Sequence, residues 1–367
     1  MTKSIERAKL KAPPRLRAPE IVDDLTRREF LVGAGLVALA PGCGNDGEGN
    51  KGTSANTRTI EHKYGTTEIS GAPERVVTVG VTDHDAVLAV GVKPVGVTEW
   101  FGERPYATWP WAEDELGGAT PDILPFGDFA FERIAGMDPD LIIGQYTGMT
   151  AGEYETLSEI APTVAQSDEY PDFETPWQVT IRRIGRAVGR EERAEEFISG
   201  LEGRFAEVRE EHPEFVGATM VLSDWDIGVY YPFSGNSVQF SALSMLGFET
   251  PDDITEIVSD PSYGGNISAE RLSLYDDADV LVWLAGGVPG DPGLRAQLDD
   301  NPIYEQLDVA KEGRDIFLED SESGENPLRV ALSWSSVLSI PFILDNLVPQ
   351  LASAIDGDPE TEVESGA

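Results

Sequence analysis

The sequence predicts an α/β protein of two three-layer lobes with mostly parallel sheets, bridged by a long helical segment. Two observations carry that expectation. Short β-branched runs, such as Arg75-Val76-Val77-Thr78-Val79-Gly80 and Asp279-Val280-Leu281-Val282-Trp283-Leu284, alternate with helical patterns both before residue 175 and after residue 213. Strand and helix repeated in this way imply parallel sheets with helices on their faces. Between the two series, residues 176–211 keep apolar side chains at helical spacing.

The first lobe is expected over residues 58–175. Residues 58–70 alternate around Tyr64-Gly65, which predicts a short hairpin. Residues 75–80 predict a buried strand, followed by a polar surface loop, Val81-Thr82-Asp83-His84-Asp85, and a short helix over 86–90. A second strand follows at 92–98, and residues 100–118 form a loop crowded with aromatics. A helical turn is expected at 132–135, a strand at 139–144, a helix at 153–160 and a strand at 163–166.

Residues 176–212 form the bridge. Val179, Ile181, Ile184 and Val188 mark one helix, and Ala194, Ile198, Leu201, Phe205 and Val208 a second, with Gly189 as the break. A piece of about 20 residues spans about 30 Å, enough to join two lobes rigidly. The second lobe is expected over 213–356, with strands at 218–223, 228–231, 279–284 and 315–318. Helices are expected at 240–246, 294–299, 304–309 and 335–355, the last bent at Pro341. Residues 357–367 read as an acidic disordered tail. Two α/β lobes joined by helix leave a cleft between the loop ends of their sheets, where ligands bind.

The chain has 367 residues, with 66 acidic against 27 basic and a formal net charge of −39. Such a surface repels phosphates and excludes nucleic acid as a partner. The hydrophobic share of 40% falls in structured runs and argues against disorder. An acidic excess with only seven Lys predicts adaptation to molar salt. There the Debye length is about 3 Å, carboxylate repulsion is screened, and the charge keeps the protein solvated and monomeric. The single cysteine, Cys43, excludes a disulfide framework and a multi-cysteine zinc site.

Residues 1–42 read as an export signal. Arg27 and Arg28 precede an uncharged stretch, Phe30 to Ala40, which is too short to span roughly 30 Å of hydrocarbon. The paired arginines point to the twin-arginine route, and Cys43 stands where a lipoprotein signal places its lipidated cysteine. Residues 43–57 then form a flexible tether that holds the body at the outer face of the cell membrane. Gly33-Ala34-Gly35 with Ala38 fits a dinucleotide-binding pattern, but it lacks the βαβ context and belongs to the signal.

A series of stretches resembles the extracytoplasmic substrate-binding proteins of ABC importers for ferric siderophores, haem and corrinoids. They are APERVVTVG (72–80), FERIAGMDPDLIIGQYTGMT (131–150), YETLSEIAPTV (154–164), IGRAVGREERAEEFI (184–198), ISAERLSLYDDADVLVW (267–283), LRAQLDDNPIYEQLDVAKEGRDIFLED (294–320) and SSVLSIPFILDNLVPQL (335–351). QYTGMT with YETLSEIAPTV is most like the iron-siderophore branch. The resemblance implies the helical-backbone periplasmic-binding-protein fold, little hinge closure, no catalysis, and no cofactor, with iron only as part of a bound chelate. It implies an ABC permease and its ATPase as partners. Glu132 in FERI and Glu270 in SAER match the family's glutamates, one on each lobe, that pair with permease arginines.

Aromatic walls suit bulky chelates, so Trp100, Tyr146, Tyr231 and Trp283, on expected loop ends, are candidate ligand residues, with Arg329 for an anionic chelate. Hydroxamate binders of the family often carry an Arg shortly before the FERI glutamate. Phe126-Gly127-Asp128-Phe129 has none, which speaks against a hydroxamate. Corrinoid or haem binding on the same fold is the alternative. A bare zinc or manganese site would need clustered ligands, whereas His62, His84 and His212 are scattered, with Asp83-His84-Asp85 at most a partial site. No HExxH, GxSxG, SxxK or phosphate loop follows the signal, and Ser234-Gly235-Asn236-Ser237 is turn chemistry.

Overall fold

The computed structural model describes residues 57–99, 104–226, 228–258, 264–284, 293–320 and 324–356. The expectations for the export signal with Arg27 and Arg28, for Cys43 and the tether as far as residue 56, for Trp100 and for the tail at 357–367 lie outside the described residues.

The hairpin pairs β1 (Thr57–His62) with β2 (Gly65–Ser70), Ile60 opposite Thr67. Alternation along both strands buries Ile60, His62, Thr67 and Ile69. The first sheet is wholly parallel, in the order β5-β4-β3-β6-β7, with β3 (Val76–Thr78), β4 (Gly96–Thr98), β5 (Asp122–Leu124), β6 (Leu141–Gly144) and β7 (Thr163–Ala165). Its connections carry α1 (Asp83–Ala89), α2 (Glu113–Leu116), α3 (Phe131–Gly136) and α4 (Ala151–Ile160). Chain order reverses at the β3/β6 boundary, so the loops leaving those two strands flank a topological switch point. The polar run at 81–85 is not a surface loop. Helix α1 begins at Asp83, and Asp83, His84 and Asp85 are all buried.

Helix α5 (Trp177–Val188) ends where Gly189 takes a left-handed φ of 71°, a conformation that glycine adopts without steric cost. Helix α6 (Glu191–Glu211) follows and packs against it. The contact is close at Gly185, where a Cβ would lie 2.6 Å from that of Ala194. Helix α5 packs on α1 and β1, and α6 on α7 (Ser241–Leu246) of the second lobe.

The second sheet runs β10-β9-β8-β11-β12: β8 (Met220–Asp226), β9 (Val229–Phe233), β10 (Ile267–Ser268), β11 (Val280–Leu284) and β12 (Asp315–Phe317). Strands β8, β11 and β12 are parallel, while β9 and β10 return antiparallel, so this sheet is mixed. Around it lie α8 (Asp252–Ile257), α9 (Gly293–Asp299), α10 (Asp308–Lys311), α11 (Pro327–Trp334) and α12 (Ser339–Ile355). The expected single helix over 335–355 is divided. Ser335 at φ 41° ends α11, and Pro341 lies in the first turn of α12, where its missing N–H costs no helical bond.

One apolar core runs through both lobes. It joins Val76, Val87 and Leu141 of the first lobe to Phe215, Leu222 and Val280 of the second, through Ile181, Ile184, Ile198, Phe205, Ile343 and Leu347 of the helices between them. Each such buried side chain contributes about 1.5–3 kcal/mol, so separating the lobes would expose a large apolar area. Among the described residues no helix is long and apolar enough to cross a membrane.

Candidate ligand-binding cleft

The loops leaving β3, β5 and β6 converge on Tyr146, two residues beyond β6. Tyr146 is 5% exposed, and its hydroxyl donates to the Phe173 carbonyl at 2.7 Å. Its ring meets Phe173 edge-on, centroids 5.8 Å apart, and Trp334 at the end of α11, 6.3 Å apart. A first-lobe tyrosine thus touches a second-lobe tryptophan. Burial pushes the Tyr146 phenol well above its ordinary pKa, so it stays a neutral donor.

Three adjoining cavities of about 270, 260 and 220 Å³ share Tyr146 as a wall. The first lies between the lobes, against Thr82 and Trp177 on one side and Asn236, Val238, Met245 and Ser336 on the other. The second opens over the strand ends of the first lobe, beside Thr98, Phe126, Phe129, Thr147 and Glu153. The third joins them through Val81, Phe126, Phe173, Val238 and Trp334. Phe126, 60% exposed, presents an apolar ring where the second and third cavities meet.

A buried polar layer supports this floor. The carboxylate of Asp83 accepts the Gln145 N–H at 2.7 Å, with the N–H groups of Tyr146 and Gly80 close by, which holds the loop that carries Tyr146. Burial raises its pKa to about 7, although those N–H groups pull it down. Asp85 Oδ2 accepts from Trp111 Nε1 at 2.9 Å and from the Ser336 hydroxyl, a bond that ties α1 to the α11–α12 turn across the lobes. His84 is buried beside them, 3.5 Å from Asp85 Oδ1, and burial favours its neutral form. The arrangement binds and orients a bulky guest against aromatic faces and neutral hydroxyls. Among the described residues no three His, Cys, Asp or Glu side chains come together to hold a metal ion.

Of the residues singled out from sequence, Tyr146 stands at the centre of the cleft. Trp283 does not reach it. It is fully buried in the second lobe's core with Tyr230, Tyr275 and Phe317, and its Nε1 donates to the Tyr304 hydroxyl at 3.3 Å. The reason is that β11 is buried on both faces, so its aromatic packs inward. Tyr231 is half-buried on β9 opposite Asp224, outside the cavities around Tyr146. Arg329 also lies outside them. Its Nε and Nη2 pair with Asp320 at 2.8 and 3.0 Å, so its charge is already neutralised. Glu132 and Glu270 are exposed, one on each lobe, each in the first turn of a helical segment.

Sequence reasoning missed Phe126, Phe173, Trp177 and Trp334. For Trp334 a signal was present, since Asn326-Pro327 is a helix start and Trp334 ends the helix it opens. The Gly235-Asn236-Ser237 turn proves to be a wall of the first cavity.

A family described as "Periplasmic binding protein" matches residues 76–321. The chain is 26% identical over 268 residues to a probable siderophore-binding lipoprotein of Bacillus subtilis, covering 71% of this chain and 80% of that protein. Among solved structures, a periplasmic solute binding protein from Mycobacterium smegmatis superposes with a TM-score of 0.70 at 34% identity, covering 82% of this chain and 99% of that one. Streptococcus pneumoniae PiaA in complex with ferrichrome superposes with a TM-score of 0.68 at 26% identity, with the same coverage.

Proposed function

The chain belongs to the periplasmic binding protein family, and from that premise we propose that it is the substrate-binding component of an ABC importer that captures a ferric chelate of siderophore type outside the cytoplasm. The observation that carries this reading is the cleft around Tyr146, set at the strand ends of a parallel sheet and faced by Trp334 of the other lobe. The relative named as a probable siderophore-binding lipoprotein and the ferrichrome complex support the guest class. Iron enters as part of the cargo, and the protein's own part is to bind and release it.

Exposed Glu132 and Glu270 suit register-setting contacts with arginines of a permease, one contact from each lobe. Because such pairs are strongly screened in molar salt, apolar packing around them contributes as well. Arg27-Arg28 would direct the folded protein through the twin-arginine route, and Cys43 would carry the lipid that holds it at the membrane.

Intrinsic fluorescence tests the reading directly, because Trp177 and Trp334 line the first cavity. A ferric chelate should quench that emission saturably. Tyr146→Ala should weaken the interaction at least about tenfold, the scale of one lost aromatic anchor. Quenching by a corrinoid or by haem, with none by any ferric chelate, would reassign the guest. An unaltered affinity in Tyr146→Ala would move the site.

A further inference from the structure

We propose that the guest is a ferric chelate of zero or positive net charge, of the trihydroxamate kind, and not an anionic catecholate or citrate complex; this rests on the ferric-chelate reading above. The inference comes from where the protein puts its cations. Residues 58–175 contain six Lys or Arg and residues 213–356 contain five. None of these, and none of the seven arginines of residues 176–212, lines any of the three cavities around Tyr146.

Nearly all are held elsewhere. In the first lobe Arg58 donates to the Gly71 and Ala187 carbonyls, Arg75 to the Asp138 backbone carbonyl, Lys93 to the Leu116 backbone carbonyl, and Lys63 pairs with Asp172. Arg104 lies over the Trp109 ring at 4.4 Å. In the second lobe Arg295 covers Phe317 at 3.9 Å, Lys311 pairs with Asp308, Arg314 donates to the Ala278 and Asp279 carbonyls, and Arg329 is bound to Asp320. Arg133 and Arg271 are exposed and adjoin Glu132 and Glu270 in sequence. The internal stretches outside the described residues, 100–103, 227, 259–263, 285–292 and 321–323, contain no Lys or Arg.

What does line the cleft is neutral or acidic: Thr82, Ser237 and Ser336 hydroxyls, aromatic rings, and the carboxyl side chains of Asp128, Glu153 and Glu174. Three singly charged hydroxamates neutralise Fe(III), whereas three doubly charged catecholates leave a trianion. A trianion seated here would lose water and gain no counter-charge. Salt screens its approach, but the screening weakens once solvent and ions are displaced from the contact. The resemblance made the absence of Arg from residues 126–129 an argument against a hydroxamate; among the described residues that absence extends to the lining of all three cavities, so it bears on the charge of the guest, and a neutral trihydroxamate needs no cation there.

The mature protein would be titrated by tryptophan fluorescence with four Fe(III) complexes: a neutral cyclic trihydroxamate, a linear trihydroxamate bearing a free ammonium, a tricatecholate and citrate. Each titration would be run at about 0.2 M and about 2 M KCl. The first two should bind at least about fiftyfold more tightly than the last two at both salts, with the wider gap at low salt. Tricatecholate or citrate binding as tightly as the neutral complex would overturn the charge inference and leave the ferric-chelate reading standing. If none of the four bound, both would fall. Val238→Arg adds a cation where the first and third cavities meet. It should raise tricatecholate affinity at least about tenfold and weaken the cationic complex. An unchanged ranking in that variant would also overturn the inference.

Discussion

Tyr146 joins the cleft to the core through one hydroxyl, which satisfies the Phe173 carbonyl at 2.7 Å. Tyr146→Phe keeps the ring and removes that bond, so unfolding stability should drop by about 1 kcal/mol, read by chemical denaturation. Beneath it, Asp83 has a folded pKa of about 7 against an ordinary 3.8. Between those values the folded state holds a proton that the unfolded state has released. Asp83 therefore makes stability fall as pH rises from about 4 to about 7, by at most about 4 kcal/mol. His62 acts oppositely, its pKa lowered by burial from 6.5 to about 4, so its contribution is lost as pH falls through that interval. Asp83→Asn should leave the His62 slope alone, with stability rising steadily from pH 4 to 7 in denaturation series. A curve unchanged from the parent would refute the assignment. At this scale Tyr146 was legible because it follows a clear strand. Trp283 was misplaced although its unbroken apolar neighbourhood already implied burial on both faces. The partner of Arg329 was not legible, since nothing local selects Asp320 from 66 acids.

The bridge is the most informative element. Its apolar spacing and Gly189 marked both helices and their break in the sequence, and the structure places that break at the same residue. The close crossing at Gly185 was not visible, because the neighbour that requires a glycine, Ala194, lies on the other helix. Gly185→Leu should force the helices apart and cost about 1–3 kcal/mol, measurable as a lowered melting temperature. Gly203→Ala, with open space around it, should hold or slightly raise that temperature. The short strand β5 and helix α11 were overlooked for different reasons. Three residues carry no readable period, whereas α11 announced itself by an Asn cap that accepts from the Leu328 and Arg329 N–H groups.

In the whole molecule the decisive feature is the core shared by both lobes through α5, α6 and α12. Lobes fused in this way should close little around a guest, so small-angle scattering should give the same radius of gyration, within about 0.5 Å, with and without a saturating chelate. The net charge of −39 sets a second expectation. Melting temperature should climb steeply as KCl rises toward molar levels, because carboxylate repulsion is screened over about 3 Å at 1 M. A flat response would remove the case for adaptation to high salt. The sequence by itself determined the alternation of strand and helix, the helical bridge, the charge and the motif series, because each depends on neighbouring residues or on simple sums. Only the tertiary structure decided which aromatics face the cleft, which acids hold the arginines and that, among the described residues, no Lys or Arg lines the three cavities. Those follow from side chains brought together across the two lobes, and no local pattern records that meeting.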